Sequence, residues 1–415
     1  MATIATPGGG VGDHELAAIE AAARADERVY LADLERLVSI DCGSYTPSGV
    51  DEVGRFVEAF LASLGADVVS HPDPAGRLGA TVVGTLRGDD PEGPRILLIG
   101  HMDTVFEPGT AAERPFRIEG GRAHGPGVTD MKSGLLTGLY GVRVLLDVAG
   151  TEPGGLGFDR LTFVANPDEE IGSPVSTPHI RELASDADVC FVLECARANG
   201  DIVSARKGTL DLVATVHGRA AHAGVEPEKG RSAILEAARF IRDLHALNGR
   251  WPGVTVNVGV VAGGSRPNVV AERCVLEIDV RATDAAAQDE AEATIGELAR
   301  STEVADTTIE LERRARHRPM EKLERSGRLV DHVVAIAGRL GFDVRDTATG
   351  GASDANTTSG MGVPTIDGLG PVGGNDHSPA EYLDVASIVP RTALFAGLLL
   401  AVARDPVVVE WRRGR

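Results

Sequence analysis

The stretch RILLIGHMDTV, residues 95–105, carries four consecutive apolar side chains (Ile96, Leu97, Leu98, Ile99), then Gly100, His101 and Asp103. A short apolar run that stops at polar residues reads as a strand buried on both faces. The profile recurs. Residues 161–165 (LTFVA) run into Asn166, Asp168, Glu169 and Glu170, and residues 189–193 (VCFVL) run into Glu194. A further run, 363–367, precedes the loop GGNDHS at 373–378, which contains His377. Another strand candidate lies at 80–86. Helical spacing appears from Asp13 through Leu37, at about 53–64, from about Lys132, and after Ile388. Strands alternating with helices specify an α/β fold with a mainly parallel sheet, whose strands present ligand-binding groups at their carboxyl ends.

The middle of the chain has a different rhythm. Strand-like runs at 209–216, 254–261, 273–280 and 307–312 are interleaved with helical stretches at 231–247 and 285–300. That β-α-β-β-α-β order predicts an inserted ferredoxin-like α+β domain over 206–315. The α/β domain then comprises 13–205 and 316–415, behind a Gly-rich tail, 1–12, expected to be disordered.

Lys and Arg number 41 against 61 Asp and Glu, a formal charge of −20. Such a surface repels phosphate backbones and anionic lipid, so nucleic-acid and membrane partners are not expected. Four cysteines without CxxC spacing predict buried free thiols. The N-terminus has no signal-peptide pattern, and the apolar run 392–403 falls short of the roughly 18 residues of a membrane span. It reads as a buried closing helix, and the expected location is the cytoplasm.

His, Asp and Glu side chains gathered at strand ends suit zinc, with cobalt and manganese sharing the same donors. Two divalent ions bring +4; Asp130, Glu170 and Glu194 bring −3, His101 and His377 are neutral, and one hydroxide balances the remainder. A pair of ions sharing a carboxylate activates water and polarises a carbonyl. Glu169, beside Glu170, is positioned to take the proton from that water. A catalytically dead scaffold would have lost a ligand or the base, and all are present. A two-metal phosphoesterase would show extra cations beside the metals, and these motifs show none beyond the Arg and Lys positions suited to a substrate carboxylate.

The order HMDTV, GPGVTDMKSG, NPDEEIGS, LE and DHSPAEYLD resembles the M20 metallopeptidase family, most closely its glutamate carboxypeptidase branch, from about Leu31 to the last helix. The resemblance implies one zinc on His101, Asp130 and Glu194 and another on Asp130, Glu170 and His377, with Asp130 bridging. It implies Glu169 as general base, Asp103 as the carboxylate orienting His101, and a cis peptide at Asp130–Met131. It also implies that the inserted domain is a lid and dimerisation module of a homodimer. Within it, His222 of the AAHAG segment would steady the oxyanion in the partner's site. Asn268 and Arg281 would grip the substrate carboxylate, with Arg318 and Lys207 as further candidates and Gly351 in a substrate loop. The implied activity is zinc-dependent carboxypeptidase, aminoacylase or dipeptidase chemistry on short peptides or N-acyl amino acids. One departure stands out: Cys195 follows Glu194 where many relatives have proline. Successive strand residues point opposite ways, so Cys195 is expected to be packing filler.

Overall fold

The structure, a computed structural model, describes residues 6–150 and 154–413. They form two compact units: the described residues up to Ala205 with Lys322–Ala348 and those from Ser353 onward, and Arg206–Glu321 with Thr349–Ala352. The inserted unit therefore extends beyond 315. Strand Thr308–His317 completes its sheet, and residue 349 returns to it, its carbonyl accepting from the Lys207 N–H at 3.1 Å.

In the larger unit six strands lie in the order Asp67–His71, Thr81–Arg87, Arg160–Asn166, Arg95–His101, Val189–Val192, Thr365–Ile366. The last four run parallel to their neighbours, while the first two pair antiparallel at one side. Every residue of Val189–Val192 is buried, as is every residue of Arg95–His101 after the first, so helices and loops cover both faces. Helices Asp13–Val38, Gly134–Ala149 and Ile388–Ala403 pack on one another. Ile388–Ala403 and the turn before it reach a mean hydropathy of 1.9, long and apolar enough to cross a bilayer; 83% of that stretch is buried against the protein. The expected core helix is thus longer than its 392–403 heart.

Two further expectations need correcting. The helix expected at 53–64 begins at Pro47, because proline is favourable in a first turn where its missing N–H is not needed. The tail expected to be disordered is ordered over 6–12. There the Gly8 N–H donates to His332 Nδ1 at 2.9 Å and Val11 is buried; residues 1–5 lie outside the described residues.

The inserted unit is a four-stranded antiparallel sheet in the order Thr255–Gly263, Arg273–Ala282, Gly208–His217, Thr308–His317, with helices Ala233–His245 and Ala285–Arg300. Alternate residues Leu210, Leu212, Leu276 and Ile278 join Phe240 and Ile295 in its core, as the period of two demands.

One close approach sets the entrance to helix Gly134–Ala149. A Cβ on Gly134 would lie 1.8 Å from the Leu193 carbonyl oxygen. Gly134→Ala must push the helix off the strand end. The expected cost is about 1–3 kcal/mol, read as a lowered urea midpoint, and an unchanged midpoint would show that the two elements part freely.

Candidate metal centre

His101 ends strand Arg95–His101, and Asp103 follows it. Glu169 and Glu170 open the turn after strand Arg160–Asn166, and Glu194 stands two residues beyond Val189–Val192. Asp130 sits in an irregular turn just before helix Gly134–Ala149, with non-helical backbone and a cis peptide to Met131. His377 adopts φ +60° in the loop between Gly373–Gly374 and Tyr382–Asp384.

The side chains converge. His101 Nε2 lies 3.1 Å from Asp130 Oδ1 and 3.7 Å from Glu194 Oε1. His377 Nε2 lies 3.0 Å from Asp130 Oδ2 and 3.1 Å from Glu170 Oε2. Asp130 thus turns one oxygen to each histidine. These spacings, 3.0–3.7 Å, bracket the edges of about 3.3–3.6 Å of a tetrahedron with zinc bonds of about 2.0–2.2 Å, so small side-chain shifts would seat an ion. Glu170 Oε1 is buried without a hydrogen-bond partner, an orphan that a cation would satisfy. His101, Asp130 and Glu170 offer donor atoms within 4.8 Å of one another, and so do His101, Glu169 and Glu194. The donor set of imidazole and carboxylate fits a divalent ion of the zinc kind. Spacing alone does not separate Glu169 from the donors.

Asp103, fully buried, organises the floor. Its Oδ1 accepts from the Glu169 N–H at 3.1 Å and stands 3.3 Å from His101 Nδ1. Its Oδ2 accepts from the Glu170 N–H at 3.2 Å and from Ser44 Oγ at 2.6 Å. One carboxylate therefore fixes both the imidazole and the turn bearing Glu169. Beneath that turn, Asp354 accepts from Asn166 Nδ2 at 2.5 Å and Ser173 Oγ at 2.7 Å, and burial lifts its carboxyl to about 6.

Without an ion the electrostatics are severe. Burial raises the Glu169 carboxyl well above the ordinary range, opposed by His101 and reinforced by Glu194 and Asp354. Burial likewise raises Glu170. For His101 burial works downward, yet hydrogen bonds to Asp103 and Asp130 lift it well above its usual value. Bonds to Asp130 and Glu170 lift His377 to about 11. Both histidines hold protons where an ion would sit.

Three participants escaped the sequence reading: Ser44, Asp354 and Glu381. Glu381 lies inside DHSPAEYLD and accepts three backbone N–H groups from the Asp130 turn. Its acidity in that motif was visible; its donors were not. Cys195 is buried at 3% exposure, as a packing residue would be, but not for the reason expected. The strand ends at Val192, so strand alternation does not govern it. Its sulfur stands 3.8 Å from Asp376 Oδ2 and 3.5 Å from Arg197 Nη2, with burial pushing the thiol well up.

The remaining candidates belong to the inserted unit. His222 is exposed, and its Nδ1 accepts from the Gly224 N–H at 3.2 Å. Arg281 Nε donates to Asp279 Oδ1 at 2.8 Å. Arg318 Nη1 donates to Asp289 at 2.8 Å. The Asn268 carbonyl accepts from the Ala223 N–H, and the Gly351 carbonyl from Arg206 Nη1 at 3.1 Å.

The sequence profile of peptidase family M20/M25/M40 matches residues 97–401. Carboxypeptidase G2 of Pseudomonas sp. is 31% identical over 386 residues, covering 91% of this chain and 90% of that protein. A succinyl-diaminopimelate desuccinylase of Dechloromonas aromatica is 25% identical, covering 87% and 95%. Among solved structures, aminopeptidase PepT of Bacillus cereus shares the fold with a TM-score of 0.75 at 23% identity, covering 91% of this chain and 99% of that one.

Because an imidazole binds a metal only when deprotonated, uptake of Zn²⁺ by the metal-free protein should release protons at pH 7. With His377 at about 11, apparent affinity should rise as pH rises from 7 and weaken as it falls. Calorimetric titration in buffers of different ionisation enthalpy measures the release. Uptake with none would contradict this account of the histidines.

Proposed function

The chain belongs to peptidase family M20/M25/M40, whose members are metal-dependent peptidases and amidohydrolases, and from that premise we propose that it hydrolyses an amide bond beside a free carboxylate, with two zinc ions per chain. His101, Asp130 and Glu194 would hold one ion; Asp130, Glu170 and His377 the other. The supporting observation is Asp130, with Oδ1 against His101 and Oδ2 against His377.

Divalent ions in such a site supply Lewis-acid polarisation of the scissile carbonyl and a water of lowered pKa. The chain's own residues do the rest. The Glu169 carboxylate takes the proton of the attacking water and returns it to the leaving amine nitrogen. A carboxyl lifted above the ordinary range by burial suits both transfers near neutral pH. Asp103 keeps Glu169 in place through its backbone N–H.

The resemblance also assigns His222 to the oxyanion and Asn268 and Arg281 to the substrate carboxylate, with Arg318, Lys207 and Gly351 as secondary contacts. Arg281 would exchange Asp279 for that carboxylate, a planar fork suited to bidentate pairing. A homodimer through the inserted unit is supported by its edge strand Thr255–Gly263, where Val260 and Val261 are 48% and 55% exposed, and by Ile234 and Leu235 at 45% and 62%. Carboxypeptidase, desuccinylase and deacetylase relatives make N-acyl amino acids and dipeptides the panel to assay with zinc-loaded protein. No release of amino acid from any of them would overturn the proposed substrate class.

Glu169→Gln should keep its metal by elemental analysis while turnover falls roughly 10²–10⁴-fold. Loss of metal in Glu169→Gln with normal binding in Glu170→Gln would reverse the two roles.

If His222 serves the partner's site, mixing inactive Glu169→Ala and His222→Ala chains should restore about a quarter of wild-type active sites, since one site of each mixed dimer carries neither lesion. No recovery, with exchange verified by tagged subunits, would place His222 in its own chain's site.

A further inference from the structure

We infer that Glu381 is the positioning residue that locks the Asp130 turn to the His377 loop and so sets the geometry of the metal centre; this rests on the two-ion reading above. Glu381 is 2% exposed. Its Oε2 accepts from the Gly127 N–H at 2.9 Å, and its Oε1 accepts from the Thr129 N–H at 2.8 Å and the Asp130 N–H at 3.1 Å. Gly127 is left-handed at φ +71°, and Asp130 and Met131 depart from helical backbone. The amides of this turn therefore point outward to one carboxylate instead of back into a helix. Neighbouring bonds brace the same seam: Thr129 Oγ1 donates to the Tyr382 carbonyl at 2.7 Å, and His124 Nδ1 lies 3.1 Å from the Glu381 carbonyl.

Glu381 follows His377 by four residues in one loop and reaches Asp130, 251 residues away in sequence. It is thus a crossbar between the two donors whose facing atoms stand 3.0 Å apart. Removing the carboxylate leaves three amide donors without their acceptor, and the turn must rotate to find others. The Asp130 oxygens turn with it. Glutamine keeps the shape and one carbonyl oxygen, able to hold Thr129 and Asp130, but sets an NH₂ against the Gly127 N–H.

The test compares wild type, Glu381→Gln and Glu381→Ala by chelator-competition titration with Zn²⁺, by the visible spectrum of Co²⁺-loaded protein, and by kcat at limiting and saturating Zn²⁺. Far-UV circular dichroism of the metal-free proteins controls for folding. Affinity for the more weakly held ion should fall about 10–100-fold in Glu381→Ala and by an intermediate factor in Glu381→Gln. The Co²⁺ bands should shift, and excess Zn²⁺ should restore most of kcat. Should Glu381→Ala not fold, Glu381→Gln decides, and wild-type affinity with an unshifted Co²⁺ spectrum in it overturns the inference. Lost activity with unchanged affinity, unrescued by Zn²⁺, overturns it equally. A wild type that binds fewer than two ions fails the two-ion reading instead, and that result is separable because it is read before any substitution.

Discussion

The two oxygens of Asp130, one against His101 and the other against His377, are the contact on which the rest of the centre depends. The histidines come from segments more than 270 positions apart in the chain, and only a carboxylate held between them presents a donor to both sides at once. Its orientation follows from the irregular turn that carries it. That turn holds its shape through acceptors supplied from elsewhere in the unit, chiefly the Glu381 carboxylate. Close packing of Gly134 against the Leu193 carbonyl then brings the turn to the strand end that leads to Glu194.

Gathering Asp103, Asp130, Glu169, Glu170 and Glu194 at one sheet edge concentrates negative charge where water is scarce. The protein answers partly with backbone. Asp103 accepts from two amides and a serine hydroxyl, and Asp168 accepts from Val175 N–H and Ser176 Oγ, both at 2.6 Å. The remaining load falls on protons: burial raises Glu169 and Glu170, and both histidines are raised by their acidic neighbours. A cluster arranged so is costly without positive charge inside it, which is the electrostatic argument for a cation as part of the native enzyme.

The inserted unit follows different physics. Its sheet has one face buried under two helices, and Arg281, Asp279 and Asp211 occupy alternate positions on the other. Burial and the facing Asp279 raise the Asp211 carboxyl. Its arginine is therefore already engaged by acid, Arg281 Nε donating to Asp279 Oδ1 at 2.8 Å.

Much of this was legible in the residues themselves. Apolar runs ending in His101, Asp168–Glu170 and Glu194 mark strands of an open α/β sheet, because burial on both faces removes polar alternation and the crevice at the carboxyl ends collects the polar residues that follow. The β-α-β-β-α-β order of the inserted unit was legible for a similar local reason, the switch between periods of two and 3.6. Helix starts were less so: Pro47 belongs to a helix whose apolar pattern becomes plain only from Val53. Three things were decided by tertiary structure alone. Glu381 and Ser44 bind groups 251 and 59 residues away, and no local pattern records an acceptor's distant donor. Cys195 escaped strand alternation because the strand ends three residues earlier, so its sulfur meets Asp376. The tail at 6–12, Gly-rich and unpatterned, is ordered because His332, Arg339 and Arg404 bind its backbone. Periodicity follows from neighbours in the chain, whereas the satisfaction of a buried amide or carboxylate depends on whichever group folding brings within 3 Å.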